Sequence, residues 1–216
     1  LFVNEATHYE VLLQKPMYEP ELFVDNTPFD DNFTIKDYFT GSTAEFTAAD
    51  QIKHFHAIVA SMLKLGEWFD YLRENDVYDN TRIIVVADHG FPHTDLFGTI
   101  FARTTWNVDT LTFNPILLVK DFNCNTLSVD NSFMSNADTP LLAFEGLINN
   151  PTNPATGNTI TNDAKYNPLH YLCISQGWNH SNFSGESFFP DSKLSWYTFK
   201  GSNIFDLSAW SEGRND

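Results

Sequence analysis

Asp79-Asn80-Thr81-Arg82-Ile83-Ile84-Val85-Val86-Ala87-Asp88-His89-Gly90 is the stretch on which the reading of this chain turns. Its centre, Ile83 to Val86, is apolar at both parities, which is the pattern of a strand buried on both faces in a parallel sheet covered by helices. Before it, Ile52, Phe55, Val59, Met62, Gly66, Phe69 and Leu72 recur at steps of three and four, one face of a helix. Thr47, with Asp50 three residues on, offers a capping box at the helix start, and the pattern predicts an end near Asn75-Asp76. Helix, tight turn at Asp79-Asn80 and buried strand over Arg82 to Ala87 make half of a βαβ unit, so the expected class is α/β with a mainly parallel sheet.

Working outward, residues 1–8 read as a short strand running into Thr7-His8. Residues 14–45 are rich in Pro, Asp, Asn and aromatics without a sustained period, so a long irregular excursion with one short helix is expected. Past the central strand lies a Gly- and Thr-rich stretch, 90–112, and then a second apolar run, Pro115 to Val119, predicted as another strand of the same sheet. Thr139 followed by Pro140 marks a helix start, with the helix running to about Ile148. Residues 149–168 read as loop, and Trp196–Phe199 and Asn203–Phe205 as small edge strands at the C-terminal end.

The 216 residues suffice for one sizeable domain, and 42% hydrophobic, 15% aromatic and 19% charged content describes a folded chain. Twelve Lys and Arg against 28 Asp and Glu give a net charge of −16. Nucleic-acid binding needs clustered cations to displace phosphate counterions, so that class is excluded. Cys124 and Cys173 are too few for a disulfide framework and lie in no metal-type spacing. No apolar run reaches the ~18–20 residues of a membrane span, and the start lacks a signal-peptide pattern. Because the chain opens at Leu1, directly in a strand-like run, it is read as a fragment of a longer protein.

The sharpest chemical feature is Asp88-His89-Gly90 directly after the central strand. Ligands of open α/β sheets collect outside the carboxyl ends of the strands. A carboxylate and an imidazole delivered there together can share one divalent cation, while Gly90 lets the backbone turn away. The competing reading is an Asp that caps a turn beside an exposed His. His8 is a second candidate, either a surface His or, if the first strand neighbours the central one, a residue at the same sheet edge. His54 and His56 lie two apart on the helix and cannot chelate one ion. Of these, His56 is expected half-buried and His54 solvated. His93 and Asp95, just past the Asp-His pair, could add a ligand but read rather as residues of a mobile loop. Asn32-Phe33-Thr34, Asn179-His180-Ser181 and Asn182-Phe183-Ser184 match the glycosylation sequon.

The twelve-residue block resembles the alkaline-phosphatase superfamily, and more narrowly its sulfatase-like branch of lipoteichoic acid synthases and membrane phosphoglycerol and phosphoethanolamine transferases. Leu72, Val77, Tyr78 and Asp79 to Thr81 fit the branch's helix-to-strand stretch. Phe113 to Lys120, Asn136-Ala137-Asp138-Thr139-Pro140 and Asn203-Ile204-Phe205-Asp206 with Trp210 are similar to its downstream blocks.

The resemblance implies that residues 1–216 are the C-terminal portion of one three-layer α/β/α catalytic domain. It implies one divalent ion (Mn, Zn, Mg or Ca) bound by Asp88 and His89, and a contact from His8 to the substrate phosphate. The nucleophile and a further acidic ligand are expected upstream of Leu1, where a membrane anchor would also lie. The implied activity is transfer of a phosphoglycerol- or phosphoethanolamine-type group from an anionic lipid to a cell-envelope acceptor, on the extracellular face of a bacterial membrane. Hydrolysis of sulfate or phosphate esters, of lipid or glycan, is the enzymatic alternative. An inactive ectodomain that binds lipid head groups or a partner is the non-enzymatic one.

Overall fold

The computed structural model describes residues 5–30, 34–36, 43–91, 98–102, 107–175 and 194–213. They belong to two compact units. The first comprises residues up to Thr81 with 96–98 and 121–124, and the second 82–95, 99–120 and 125 onward.

The first unit is built on helix α1 (Ala49–Glu74), after a short hairpin of β1 (Thr34–Lys36) and β2 (Thr43–Glu45). The three-and-four periodicity locates the helix, but three of its four buried residues, Gln51, His56 and Ala57, lie off the face it picks out. Leu72 is buried, and the other six residues of the predicted face are half-buried. Lys64, Glu67, Asp70 and Tyr71, off that face, are exposed. The start differs from the expected Thr47–Asp50 box. Ala48 occupies the cap position, and the Gln51 amide oxygen accepts from the Thr47 and Ala48 N–H groups at 2.9 and 3.2 Å. Gln is long enough to reach back over the first turn, which satisfies two donors that the helix itself cannot pair. At the other end Asn75 caps and Asp76 turns left-handed at φ 56°, where the sequence predicts the stop.

Residues 5–30 contain no helix, contrary to the short one expected in this region. They lie on α1 as an irregular strap held by polar contacts. The Leu13 N–H donates to His56 Nδ1 at 3.1 Å, and the Leu13 carbonyl accepts from Asn26 Nδ2 at 2.9 Å. Lys15 pairs with Asp30, and the Tyr18 ring meets His56 edge-on at 5.0 Å. His56 is therefore fully buried rather than half-buried, and His54 is half-buried rather than solvated. The strap covers a helix face that periodicity alone leaves open.

The second unit contains β3 (Ile83–Val86), a hairpin of β4 (Ile100–Ala102) and β5 (Asn107–Asp109), β6 (Leu117–Lys120), helix α2 (Thr139–Phe144), and β7 (Leu169–Ser175), β8 (Leu194–Lys200) and β9 (Trp210–Glu212). Both expected central strands form, but they pair with each other antiparallel, Val86 opposite Leu117 and Ile83 opposite Lys120. Every strand pair among the described residues is antiparallel, where a mainly parallel sheet was expected. Parallel pairing needs a crossover that carries the chain back across the sheet, usually a helix. Here the return is made at the end where β3 stops, with the Ala87 N–H donating to the Ile116 carbonyl at 3.1 Å. Double-parity apolarity reports burial, not strand direction. Even the burial is partial, since Ile83 is buried while Val86 is exposed.

The core of this unit lies where the β4–β5 hairpin meets a three-stranded sheet of order β7-β8-β9. Phe101, Val108, Tyr197, Phe199 and Trp210 are all buried, and the Phe101 and Trp210 rings lie 5.9 Å apart. Trp210 satisfies its indole N–H on the Ile204 carbonyl at 2.8 Å, which removes the cost of burying that donor. The tail thus supplies the central strand β8, not the edge strand predicted over Trp196–Phe199. Residues Asn203–Phe205 turn instead of pairing, and β9 takes the edge. Helix α2 starts at Thr139-Pro140 as predicted but stops at Phe144 rather than Ile148, shortly before Gly146 adopts φ 70°.

Candidate metal site

From the aromatic core a chain of contacts leads to the Asp88-His89-Gly90 turn. The 3₁₀ turn Thr110–Phe113 is capped by Asp109, whose carboxylate accepts from the Leu111 N–H at 3.0 Å and the Thr99 hydroxyl at 2.8 Å. Phe113 anchors that turn on Trp210, ring centroids 5.5 Å apart. The Gly90 N–H then donates to the Thr112 carbonyl at 2.8 Å. A hydrogen is all that fits on Gly90 toward this turn, because a Cβ there would lie 1.8 Å from the Leu111 oxygen. Gly90 thus permits the close approach that seats the two residues before it.

Asp88 and His89 follow β3 with exposed side chains, and their internal geometry is specific. Asp88 Oδ1 accepts from the His89 backbone N–H at 3.0 Å, which orients the carboxylate. His89 Nδ1 lies 2.7 Å from the Gly90 carbonyl, an acceptor only, so Nδ1 carries the proton. In the neutral ring that leaves the lone pair on Nε2, which faces Asp88 Oδ2 at 3.7 Å. Two atoms bound to one ion at ~2.0–2.2 Å with a tetrahedral angle lie about 3.4 Å apart. The pair is within a few tenths of an ångström of that spacing. A backbone carbonyl holding the far nitrogen of a metal-binding His is the usual arrangement for such ligands.

Beside Asp88 opens a concavity of about 470 Å³ lined by Val86, Ala87, Asp88, Asn136, Thr139, Pro140 and Ala143. Two contacts lay α2 along β3 to form it. Arg82, before β3, donates to the Leu142 and Glu145 carbonyls at the C-terminal end of α2, and Asn136, before α2, donates to the Ala87 and Asp88 carbonyls at 2.9 and 3.2 Å. Sequence reasoning places Asn136 in a family-like block without a role. Its partners lie 48 and 49 residues away, and no local signal announces such a bond.

His8 belongs to the first unit, in a turn closed by its own N–H on the Glu5 carbonyl at 3.0 Å. Its side chain is exposed, with the Tyr9 ring edge-on at 5.0 Å. Of the strand expected over residues 1–8, residues 1–4 lie outside the described residues and 5–8 form a turn instead, while His93, Asp95, the Asn179 and Asn182 sequons and most of the Asn32 one also lie outside the described residues. Among the described residues no three His, Cys, Asp or Glu side chains gather as a metal site, and no helix is long and apolar enough to cross a membrane. Asp88 and His89 by themselves would offer two ligands, fewer than a divalent ion takes.

Compared with known proteins, the chain matches no family model, no curated protein and no solved structure.

Proposed function

We propose that this chain carries part of the metal site of a sulfatase-like phospho-group transferase. The observation that supports the reading is the approach of Asp88 Oδ2 and His89 Nε2 to 3.7 Å at the end of β3, beside an open cavity, with His89 Nδ1 on the Gly90 carbonyl. The whole-domain architecture attached to it, a three-layer α/β/α fold of which β3 and β6 are part, belongs to the same proposal.

In this reading Asp88 and His89 hold one divalent ion from one side. The remaining ligands and the nucleophile come from residues outside those described or outside these 216. A bound divalent ion lowers the pKa of a coordinated nucleophile and offsets the charge of the attacked phosphate. Gly90 keeps the two ligands in place, and His8 donates a hydrogen bond to a phosphate oxygen. The nucleophile displaces the lipid alcohol, which leaves with a proton, and the acceptor hydroxyl then gives up its own proton and displaces the nucleophile from the phosphorus. The substrate is an anionic lipid with a phosphoglycerol- or phosphoethanolamine-type head group, and the domain works on the outer face of a bacterial membrane. The net charge of −16 does not oppose an anionic substrate, because the ion dominates the local field.

The test is release of a labelled phosphoglycerol head group from lipid by the complete protein, with Mn²⁺ added and then removed by EDTA. Transfer to an added glycan or glycolipid acceptor, lost on chelation, supports the transferase. Release to water alone favours a phosphodiesterase. Full activity after chelation, with metal absent by elemental analysis, overturns the metal reading.

A further inference from the structure

We infer that Asn136 is the positioning residue of this metal site, an inference that rests on Asp88 and His89 being its ligands. The Asn136 side-chain amide donates to two successive carbonyls, Ala87 at 2.9 Å and Asp88 at 3.2 Å. These are the last peptide groups before His89, so one amide fixes the backbone from which both ligand side chains leave. With β3 ended and the Ala87 N–H already given to Ile116, the Ala87 and Asp88 carbonyls have passed out of the β3–β6 ladder. Asn136 takes over where the ladder stops.

Asn136, an exposed residue, is tied into its own turn. It begins the short 3₁₀ turn Asn136–Asp138, and the Asp138 carboxylate, 6% exposed, accepts from the Ser135 N–H at 2.8 Å. The helix that follows is held at its far end by Arg82 on the Leu142 and Glu145 carbonyls. Asn136 therefore reaches Asp88 from a framework fixed at both ends to the strand that carries Asp88. Its neutral amide also suits the task. It donates both bonds without bringing a charge next to a bound cation, whereas a Lys or Arg there would repel the ion. Partners just outside the ligand set typically contribute 10–100-fold to metal affinity or activity.

The experiment measures Mn²⁺ affinity of the complete protein by electron paramagnetic resonance of the free ion, alongside thermal melting. Asn136→Ala removes the donor without adding a charge. It is expected to weaken Mn²⁺ binding by about 10–100-fold, to alter the bound-ion spectrum, and to leave a cooperative melt. If Asn136→Ala folds poorly, Asn136→Ser, too short to reach the two carbonyls, is read the same way. Asp88→Ala is run in parallel. If Asp88→Ala loses Mn²⁺ while both folded Asn136 variants bind it like the parent, the positioning role is overturned and the ligand reading stands. If Asp88→Ala itself binds Mn²⁺ undiminished, the metal reading falls and the role of Asn136 falls with it.

Discussion

Gly90 and the Leu111 carbonyl stand so close that a single methyl group cannot come between them: a Cβ on residue 90 would sit 1.8 Å from the Leu111 oxygen. The obstacle is backbone, in a turn pinned by Asp109 and by Phe113 on Trp210, so it cannot swing aside as a side chain would.

Gly90→Ala should therefore cost at least the ~1–3 kcal/mol typical of overpacking, and should displace Asp88 and His89 as the turn rearranges. Gly66→Ala is the matching control. Gly66 lies inside α1 with nothing within 4 Å of the place a methyl group would take, so Ala there should stabilise by about 0.5–1 kcal/mol. Chemical denaturation of both variants checks the pair. A Gly90→Ala protein as stable as the parent contradicts the close approach.

Removing either proposed ligand, Asp88 or His89, should affect chemistry and spare the fold, because both side chains are exposed. In the complete protein, Asp88→Ala and His89→Ala should each lower head-group transfer by orders of magnitude. His8→Ala should cost about 10²-fold, the scale of one lost charge-stabilising donor. Steady-state kinetics on the three variants checks the order. An inert His8→Ala removes the substrate role of that residue without touching the metal ligands.

Stability should fall on mild acidification, and three histidines set the direction. Burial holds His54, His56 and His170 below the ordinary histidine value of 6.5, although Glu10 near His54, Asp30 and the Leu13 backbone near His56, and a backbone bond at Gly201 for His170 pull the other way. Lys15 adds to the downward push on His56. The unfolded chain takes up protons near pH 6.5 while the native chain resists, so stability rises with pH across that window. The contribution is full above about pH 6.5, declines as pH falls toward the native values, and flattens below them. His56 adds a geometric reason, since its Nδ1 accepts from Leu13 and cannot do so once protonated. Melting temperature followed from pH 7.5 to 5 should drop, and His56→Gln, which keeps an acceptor but does not titrate, should flatten the slope. A profile unchanged by His56→Gln contradicts this assignment.

What the sequence makes legible follows the range of the forces involved. The face of α1 and the strands β3 and β6 are written in local apolar spacing, and each lies within a few residues of its expected place. The helix cap differs because Asp50 fits a pattern, whereas the longer Gln51 side chain reaches the Thr47 and Ala48 donors. The antiparallel pairing of β3 with β6 depends on the path of residues 87–116, which apolar content does not encode. Leu169–Ser175 does not announce itself as a strand because its mixed polar and apolar residues gain their place only from pairing with the buried β8. At the site, Asp88, His89 and Gly90 are legible as neighbours in sequence. The carbonyl of Leu111 and the amide of Asn136, which hold them, come from distant segments.

The most direct measurement is a crystal structure of the complete protein grown with Mn²⁺, with anomalous diffraction recorded at the manganese edge. The account predicts one anomalous peak about 2.0–2.2 Å from both Asp88 Oδ2 and His89 Nε2, with His89 Nδ1 still on the Gly90 carbonyl. A manganese ion bound at full occupancy elsewhere, with Asp88 and His89 making no bond to it, would contradict the account.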